Sequence, residues 1–155
     1  MKIINLLPLI VFISYVSFIW IKYGVQSSIS DSYYRLPSNQ KILFTLFCWL
    51  FAYPMIMIAQ NGLMYVAATF IMIVGASPAF KRDELVKFLH MFGAYGGVGF
   101  GIASVWVNYY LWYVSILFLF VAALLLIFKV KDKIWWTEII AFLTIYFVVL
   151  FGSSI

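Results

Sequence analysis

Residues 88–107, FLHMFGAYGGVGFGIASVWV, run for twenty positions without an Asp, Glu, Lys or Arg. At about 1.5 Å per residue such a helix crosses the roughly 30 Å hydrocarbon core of a bilayer. On a helical wheel at about 100° per residue, His90, Gly93, Gly97, Gly101, Ser104 and Asn108 fall within a sector of about 80°. One face of this helix is therefore small or polar and the rest is apolar. The doubled spacing Gly93-x-x-x-Gly97-x-x-x-Gly101 lets a neighbouring backbone approach closely, which places the helix at the centre of a bundle.

The remainder of the chain has the same character. Of 155 residues, 66% are hydrophobic and 10% charged, with a mean hydropathy of +1.09, whereas a soluble domain carries about 25% charged residues. Further runs of near-spanning length lie at 3–21, 42–59, 62–80, 109–128 and 134–151. The expected fold is an all-α polytopic transmembrane helix bundle of about six spans, forming a single integral membrane domain over 1–155. A five-span alternative stays open. Only Gln60-Asn61-Gly62 separates the second run from the third, which ends in Gly75-Ala76-Ser77-Pro78, where Pro78 removes a backbone donor. Lys2 and the first apolar run could also be read as a signal peptide with a small-x-small site at Ser28-Ile29-Ser30. The run is too long for that and the site too far beyond it, so the first helix is expected to stay.

The net charge of +5 does not point to nucleic acid, because the ten basic residues are scattered over short connections. Lys22, Arg35 and Lys41 lie in the first connection, Lys81, Arg82 and Lys87 in the third, and Lys129, Lys131 and Lys133 in the fifth. The positive-inside rule then makes connections 22–41, 81–87 and 129–133 cytoplasmic and both termini external, in a membrane such as the bacterial inner membrane. The single cysteine, Cys48, excludes an internal disulfide and any Cys-x-x-Cys pair.

Asp31, Asp83, Glu84 and Asp132 fall in the same three connections, Glu138 sits five residues into the last span, and His90 is third in the fourth. Asp31, Asp83, Glu84, His90 and Glu138 form a candidate polar rim site, since ionisable groups inside a span are costly and default to functional hypotheses. Each has a plainer alternative: His90 as a hydrogen-bonded rim residue, Glu138 as the ion-pair partner of Lys87 or Lys133. The glycine stripe can serve helix packing alone, with Thr45, Cys48, Ala52 and Ala59 of the second span, or Thr137, Ala141 and Thr144 of the sixth, facing it. In QSSISDSYYRLPSNQK, residues 26–41, Ser30-Asp31-Ser32 supplies caps and turns, and Tyr33-Tyr34 suit the headgroup level. Pro37-Ser38-Asn39 reads as the start of the next helix. This connection is either an ordinary anchor or a loop folded over the rim to complete the site.

Ser30-Asp31-Ser32-Tyr33-Tyr34 after the first span, with His90 at the start of a later one, resembles uncharacterised bacterial six-span families of unknown function. More distantly it is similar to the alkaline ceramidase and adiponectin-receptor superfamily of membrane hydrolases. That resemblance implies a zinc ion held among a Ser, an Asp and several His, for which only Ser30 or Ser32, Asp31 and His90 match. With one histidine and no His-x-x-x-His, the hydrolase activity does not carry over. Three functions follow from the residues. One is non-enzymatic binding of anionic lipid headgroups or a partner membrane protein at a rim carrying nine bases. The second is a small oligomeric channel or carrier using the glycine face. The third is a membrane-embedded lipid hydrolase with Asp31, His90 and Glu138 as acid or base groups. No catalytic residue is assigned, and no metal or cofactor is expected.

Overall fold

In a bilayer each apolar segment must satisfy its backbone internally, so the chain forms helices and breaks them only at polar or proline-bearing connections. The computed structural model describes residues 3–108, 111–128 and 130–151. In chain order the elements are α1 (Ile3–Tyr23), α2 (Ser32–Arg35), a 3₁₀ turn (Ser38–Gln40), α3 (Ile42–Ile58), α4 (Gly62–Ala76), α5 (Glu84–Asn108), α6 (Tyr113–Ile127) and α7 (Lys133–Phe151). No strand occurs among the described residues. The all-α bundle read from the sequence is the observed fold.

The boundaries differ where local hydrogen bonding overrides hydropathy. The third apolar run was expected to continue to residue 80, but α4 closes at Ala76. There the Ser77 N–H reaches the carbonyls of Ile73 and Val74 at 3.0 and 3.2 Å, and Pro78 follows. Conversely, α5 begins at Glu84, ahead of its apolar run, because Asp83 Oδ1 accepts the Val86 N–H at 3.0 Å and starts the helix early. Residues 109 and 110, where a span was expected to begin, lie outside the described residues, as do Lys2, Lys129 and the tail 152–155. From Tyr113 the chain is helical.

Four helical stretches, α1, the 3₁₀ turn running on into α3 (Ser38–Ile58), α5 and α7, are long and apolar enough to cross a membrane. The other two apolar helices, α4 and α6, have 15 residues each, about 22 Å at 1.5 Å per residue, less than the roughly 30 Å core.

The most extensive helix contact is α4 against α5. Next come α3 on α4 and α1 on α3, while α7 packs on α6 and also touches α1, α3 and α5. Glycines set the closest approaches. A Cβ on Gly93 would lie 2.9 Å from the Phe70 carbonyl oxygen, and one on Gly97 would lie 2.6 Å from Ile71 Cδ1, so this part of the stripe faces α4. A Cβ on Gly101 would meet Ile145 of α7 at 2.7 Å. Between α3 and α4, a Cβ on Gly75 would stand 2.7 Å from Cys48 Cβ. Lipid tails are as apolar as these side chains, so such contacts act through dispersion and close backbone packing rather than through the hydrophobic effect.

Aromatic rings fill the centre between α1, α3 and α7. Tyr15 and Phe47 stack at 4.4 Å, Phe12 and Phe142 stack at 5.4 Å, and Phe51 meets Phe142 edge-on at 4.9 Å. At the end holding Tyr23 and Lys133, Trp20 of α1 and Trp136 of α7 meet edge-on at 5.9 Å. At the other end the Tyr146 hydroxyl donates to the Asn5 carbonyl at 2.7 Å. There too Asn61 Oδ1 caps α4 by accepting from the Met64 N–H at 3.0 Å, and it takes the Ser104 hydroxyl at 2.9 Å, tying the α3–α4 turn to α5.

Candidate functional site at the polar rim

The connection after α1 is folded, not open. Gly24 takes a left-handed φ of 77°, which turns the chain off α1. Gln26, buried, anchors the turn by donating to the carbonyls of Tyr23 and Gly24, both at 2.9 Å. Its Oε1 accepts from Arg35 Nε at 3.1 Å, which holds that guanidinium in place. Ser32, fully buried, donates to the Ile29 carbonyl at 2.5 Å and shares a hydrogen bond of 2.6 Å with the Tyr15 hydroxyl of α1. These bonds satisfy buried polar groups next to apolar helices, where an unmade bond costs about 1–3 kcal/mol.

The folded loop reaches two other elements. The Ile29 N–H donates to Glu138 Oε2 of α7 at 2.5 Å. Asp31 stands at the N-cap of α2 but makes no side-chain cap bond. Its carboxylate instead takes the Ser27 hydroxyl and pairs with Lys81 Nζ at 2.5 Å. The Lys81 N–H also donates to the Tyr34 hydroxyl at 2.5 Å, and the Lys81 ammonium lies 5.0 Å from the Tyr34 ring centre. Connections one and three are thus bound to each other directly. Asp132 of the fifth connection joins Gln26, Ser27, Asp31, Arg35 and Lys81 around a polar groove of about 320 Å³.

The candidate residues are distributed unevenly. Asp31 and Glu138 are both gripped by the 26–37 loop. His90 is buried, its Nδ1 2.9 Å from the Ser77 carbonyl oxygen and its ring stacked on Phe80 at 4.2 Å. Phe44, whose ring centre lies 6.4 Å from that of His90, also lines the cavity that holds Glu138. Asp83 and Glu84 are not drawn in. Both are exposed, Asp83 occupied with its own helix start and Glu84 lying 3.5 Å from Lys87. Glu138 makes no ion pair with Lys87 or Lys133. Among the described residues the ion pairs are Lys81–Asp31 and Lys87–Glu84.

Sequence reading did not single out Lys81, Phe80, Ser77 or Tyr15. Their roles depend on partners up to 50 positions away, and the one available signal was a tyrosine hydroxyl inside an apolar run. Among the described residues no three His, Cys, Asp or Glu side chains are grouped to hold a metal. Connections one, three and five together wall a polar groove with Asp31, Arg35, Lys81 and Asp132 on its lining. The Asp31 carboxylate is paired with Lys81 and Ser27, and His90 Nδ1 lies against the Ser77 carbonyl; among the described residues no hydrogen bond joins Ser30, Asp31 and His90 to one another.

Fold and groove define the chain as an integral membrane helix bundle with a structured polar end. No family model, curated protein or solved structure matches it.

Proposed function

We propose that the protein is a six-span integral membrane bundle of a bacterial inner membrane that binds anionic phospholipid headgroups without turning them over. Its three basic connections would lie on the cytoplasmic face and both termini outside. The observation that carries this reading is the polar groove walled by connections one, three and five, with Arg35, Lys81 and its partner Asp31, and Asp132 on its lining and the Tyr34 ring at its edge. Among the described residues Arg35 is held by Gln26 through Nε, which leaves the rest of its planar fork for a phosphate and lowers the ordering cost of binding. Among the described residues eight bases against five acids at this end give the rim a net positive charge that attracts an anionic surface.

The channel or carrier reading draws less support. The glycine face lies against Phe70, Ile71 and Ile145, and the cleft beside it is lined by apolar side chains that offer a hydrated ion no ligands. The hydrolase reading lacks an aligned nucleophile and base.

The full chain in nanodiscs containing phosphatidylglycerol and phosphatidylcholine is released into native mass spectrometry and the retained lipids are counted. Phosphatidylglycerol is expected to be retained in preference. The double variant Arg35→Ala/Lys81→Ala should weaken that retention by about 30-fold, at about 1 kcal/mol per base. Equal retention of the two lipids, or an unaffected double variant, overturns the proposal.

A further inference from the structure

The rim groove carries a charge pattern that attraction to an anionic surface does not by itself explain. Two acidic and two basic side chains line it, Asp31 and Asp132 with Arg35 and Lys81, so their formal charges cancel. One pair is already closed. Lys81 Nζ stands 2.5 Å from Asp31 Oδ1, and Asp31 Oδ2 takes the Ser27 hydroxyl. What remains on the wall for a ligand is one cation, Arg35, and one anion, Asp132.

These two groups ask for opposite chemistry. Arg35 spends Nε on Gln26 Oε1, and its terminal N–H groups make no hydrogen bond among the described residues. The Tyr34 hydroxyl, on the same lining, accepts the Lys81 N–H and keeps its own proton to donate. Donors of this kind suit the oxygens of a phosphodiester. The Asp132 carboxylate, in contrast, makes no hydrogen bond or ion pair among the described residues, although Lys131 and Lys133 adjoin it in the chain. An ionised carboxylate can only accept, so its match in a ligand is a hydroxyl or an ammonium.

The surrounding charge decides between those two. Among the described residues eight bases face five acids at this end, so a ligand gains by keeping a net negative charge. A phosphodiester that ends in an ammonium is neutral and forgoes that gain. One that ends in hydroxyls keeps its charge and still supplies donors. The groove, at about 320 Å³, is within the size range of small-ligand clefts and has room for a phosphate and a short polyol.

We propose, resting on the headgroup binding put forward above, that the groove selects a phospholipid whose phosphodiester ends in a polyol such as glycerol, with the phosphate on Arg35 and Tyr34 and the terminal hydroxyls on Asp132. Arg35 holds the phosphate common to all such lipids. Asp132 reads what is attached to it, and so distinguishes one anionic headgroup from another.

The test places the full chain in phosphatidylcholine nanodiscs carrying equal fractions of phosphatidylglycerol, phosphatidylpropanol and phosphatidylethanolamine with the same acyl chains, and counts retained lipids by native mass spectrometry. Phosphatidylpropanol has the charge and nearly the size of phosphatidylglycerol but no headgroup hydroxyl. Phosphatidylglycerol is expected to be retained about tenfold over phosphatidylpropanol, the scale of one hydrogen bond to a charged group, and ahead of phosphatidylethanolamine. Asp132 has a left-handed φ of 54°, a conformation that glycine and asparagine also adopt, so both replacements keep the backbone. Asp132→Gly should bring phosphatidylglycerol down to the level of phosphatidylpropanol and leave the latter unchanged, and Asp132→Asn, with an uncharged acceptor, should fall between. Equal retention of phosphatidylglycerol and phosphatidylpropanol by the natural sequence overturns the selectivity; if both are then lost with Arg35→Ala/Lys81→Ala, headgroup binding itself stands. No retention of either above phosphatidylcholine removes headgroup binding as well. Phosphatidylethanolamine retained ahead of phosphatidylglycerol, or a preference untouched in Asp132→Gly, also refutes the role of Asp132. Loss of both anionic lipids alike in Asp132→Gly and Asp132→Asn does the same, since Asp132 would then serve the fold. Glycerol phosphate added in solution at the lipid's concentration should not be retained, and its presence in place of lipid would overturn the assignment to a membrane headgroup.

Discussion

Replacing Gly93 by alanine puts the glycine stripe of α5 to its most direct test. The new methyl group would stand 2.9 Å from the Phe70 carbonyl oxygen, 3.0 Å from Val74 Cγ2 and 3.1 Å from the Val74 nitrogen. Two of those neighbours are backbone atoms of α4, which cannot swing aside as a flexible side chain can, so the helices must separate along their most extensive contact. Overpacking of this kind costs about 1–3 kcal/mol, set against a gain of up to about 1 kcal/mol from replacing a helical glycine. Gly99→Ala is the internal control. It lies on the same helix with nothing within 4 Å of its added Cβ, so it carries the propensity gain without the clash. Subtracting the two isolates the steric cost, which at about 1–3 kcal/mol is about a 5-fold to 150-fold difference in the unfolding equilibrium. Reversible unfolding of the two variants in mixed micelles, followed by tryptophan fluorescence, measures that difference. Should Gly93→Ala prove as stable as Gly99→Ala, the close approach of α4 and α5 would not exist as described.

The loop's attachment to α1 is checked by a cycle of Ser32→Ala, Tyr15→Phe and the double variant. Ser32→Ala alone should cost about 1–3 kcal/mol because it strands the buried Tyr15 hydroxyl, and the double variant should cost less than the sum; additivity within about 0.3 kcal/mol would disprove the bond. Sidedness is checked in a Cys48→Ala background with an impermeant maleimide on intact cells. Ser38→Cys, Arg82→Cys and Lys131→Cys should be shielded together while Gly62→Cys at the opposite end labels, and any of the three labelling alongside Gly62→Cys would refute a shared cytoplasmic rim.

Helix type was legible in the sequence, since the described residues form helices and no strand. Apolar runs of near-spanning length admit only helices in lipid, and the alternation of charged and uncharged connections already arranged them as hairpins with one polar end. Such properties are one-dimensional: composition and spacing dictate how a segment satisfies its own backbone. At Ser77 and Asp83 the boundaries moved: the Ser77 N–H closes α4 just ahead of Pro78, and Asp83 Oδ1 starts α5 early by taking the Val86 N–H.

Partner choice was decided only in three dimensions. The spacing of Gly93, Gly97 and Gly101 announced a close approach but not that α4 would supply most of it. The facing surfaces considered from the sequence lay on the second and last spans, whereas Phe70 and Ile71 of α4 meet the first two glycines and Ile145 of α7 the third. Nor could it be read that Asp31 would leave its cap for Lys81, that Glu138 would take an amide from the loop, or that Asp83 and Glu84 would stay outside. Pairings of that kind depend on matched volumes and on which donors remain unsatisfied once the helices are side by side, a condition that exists only in the assembled bundle.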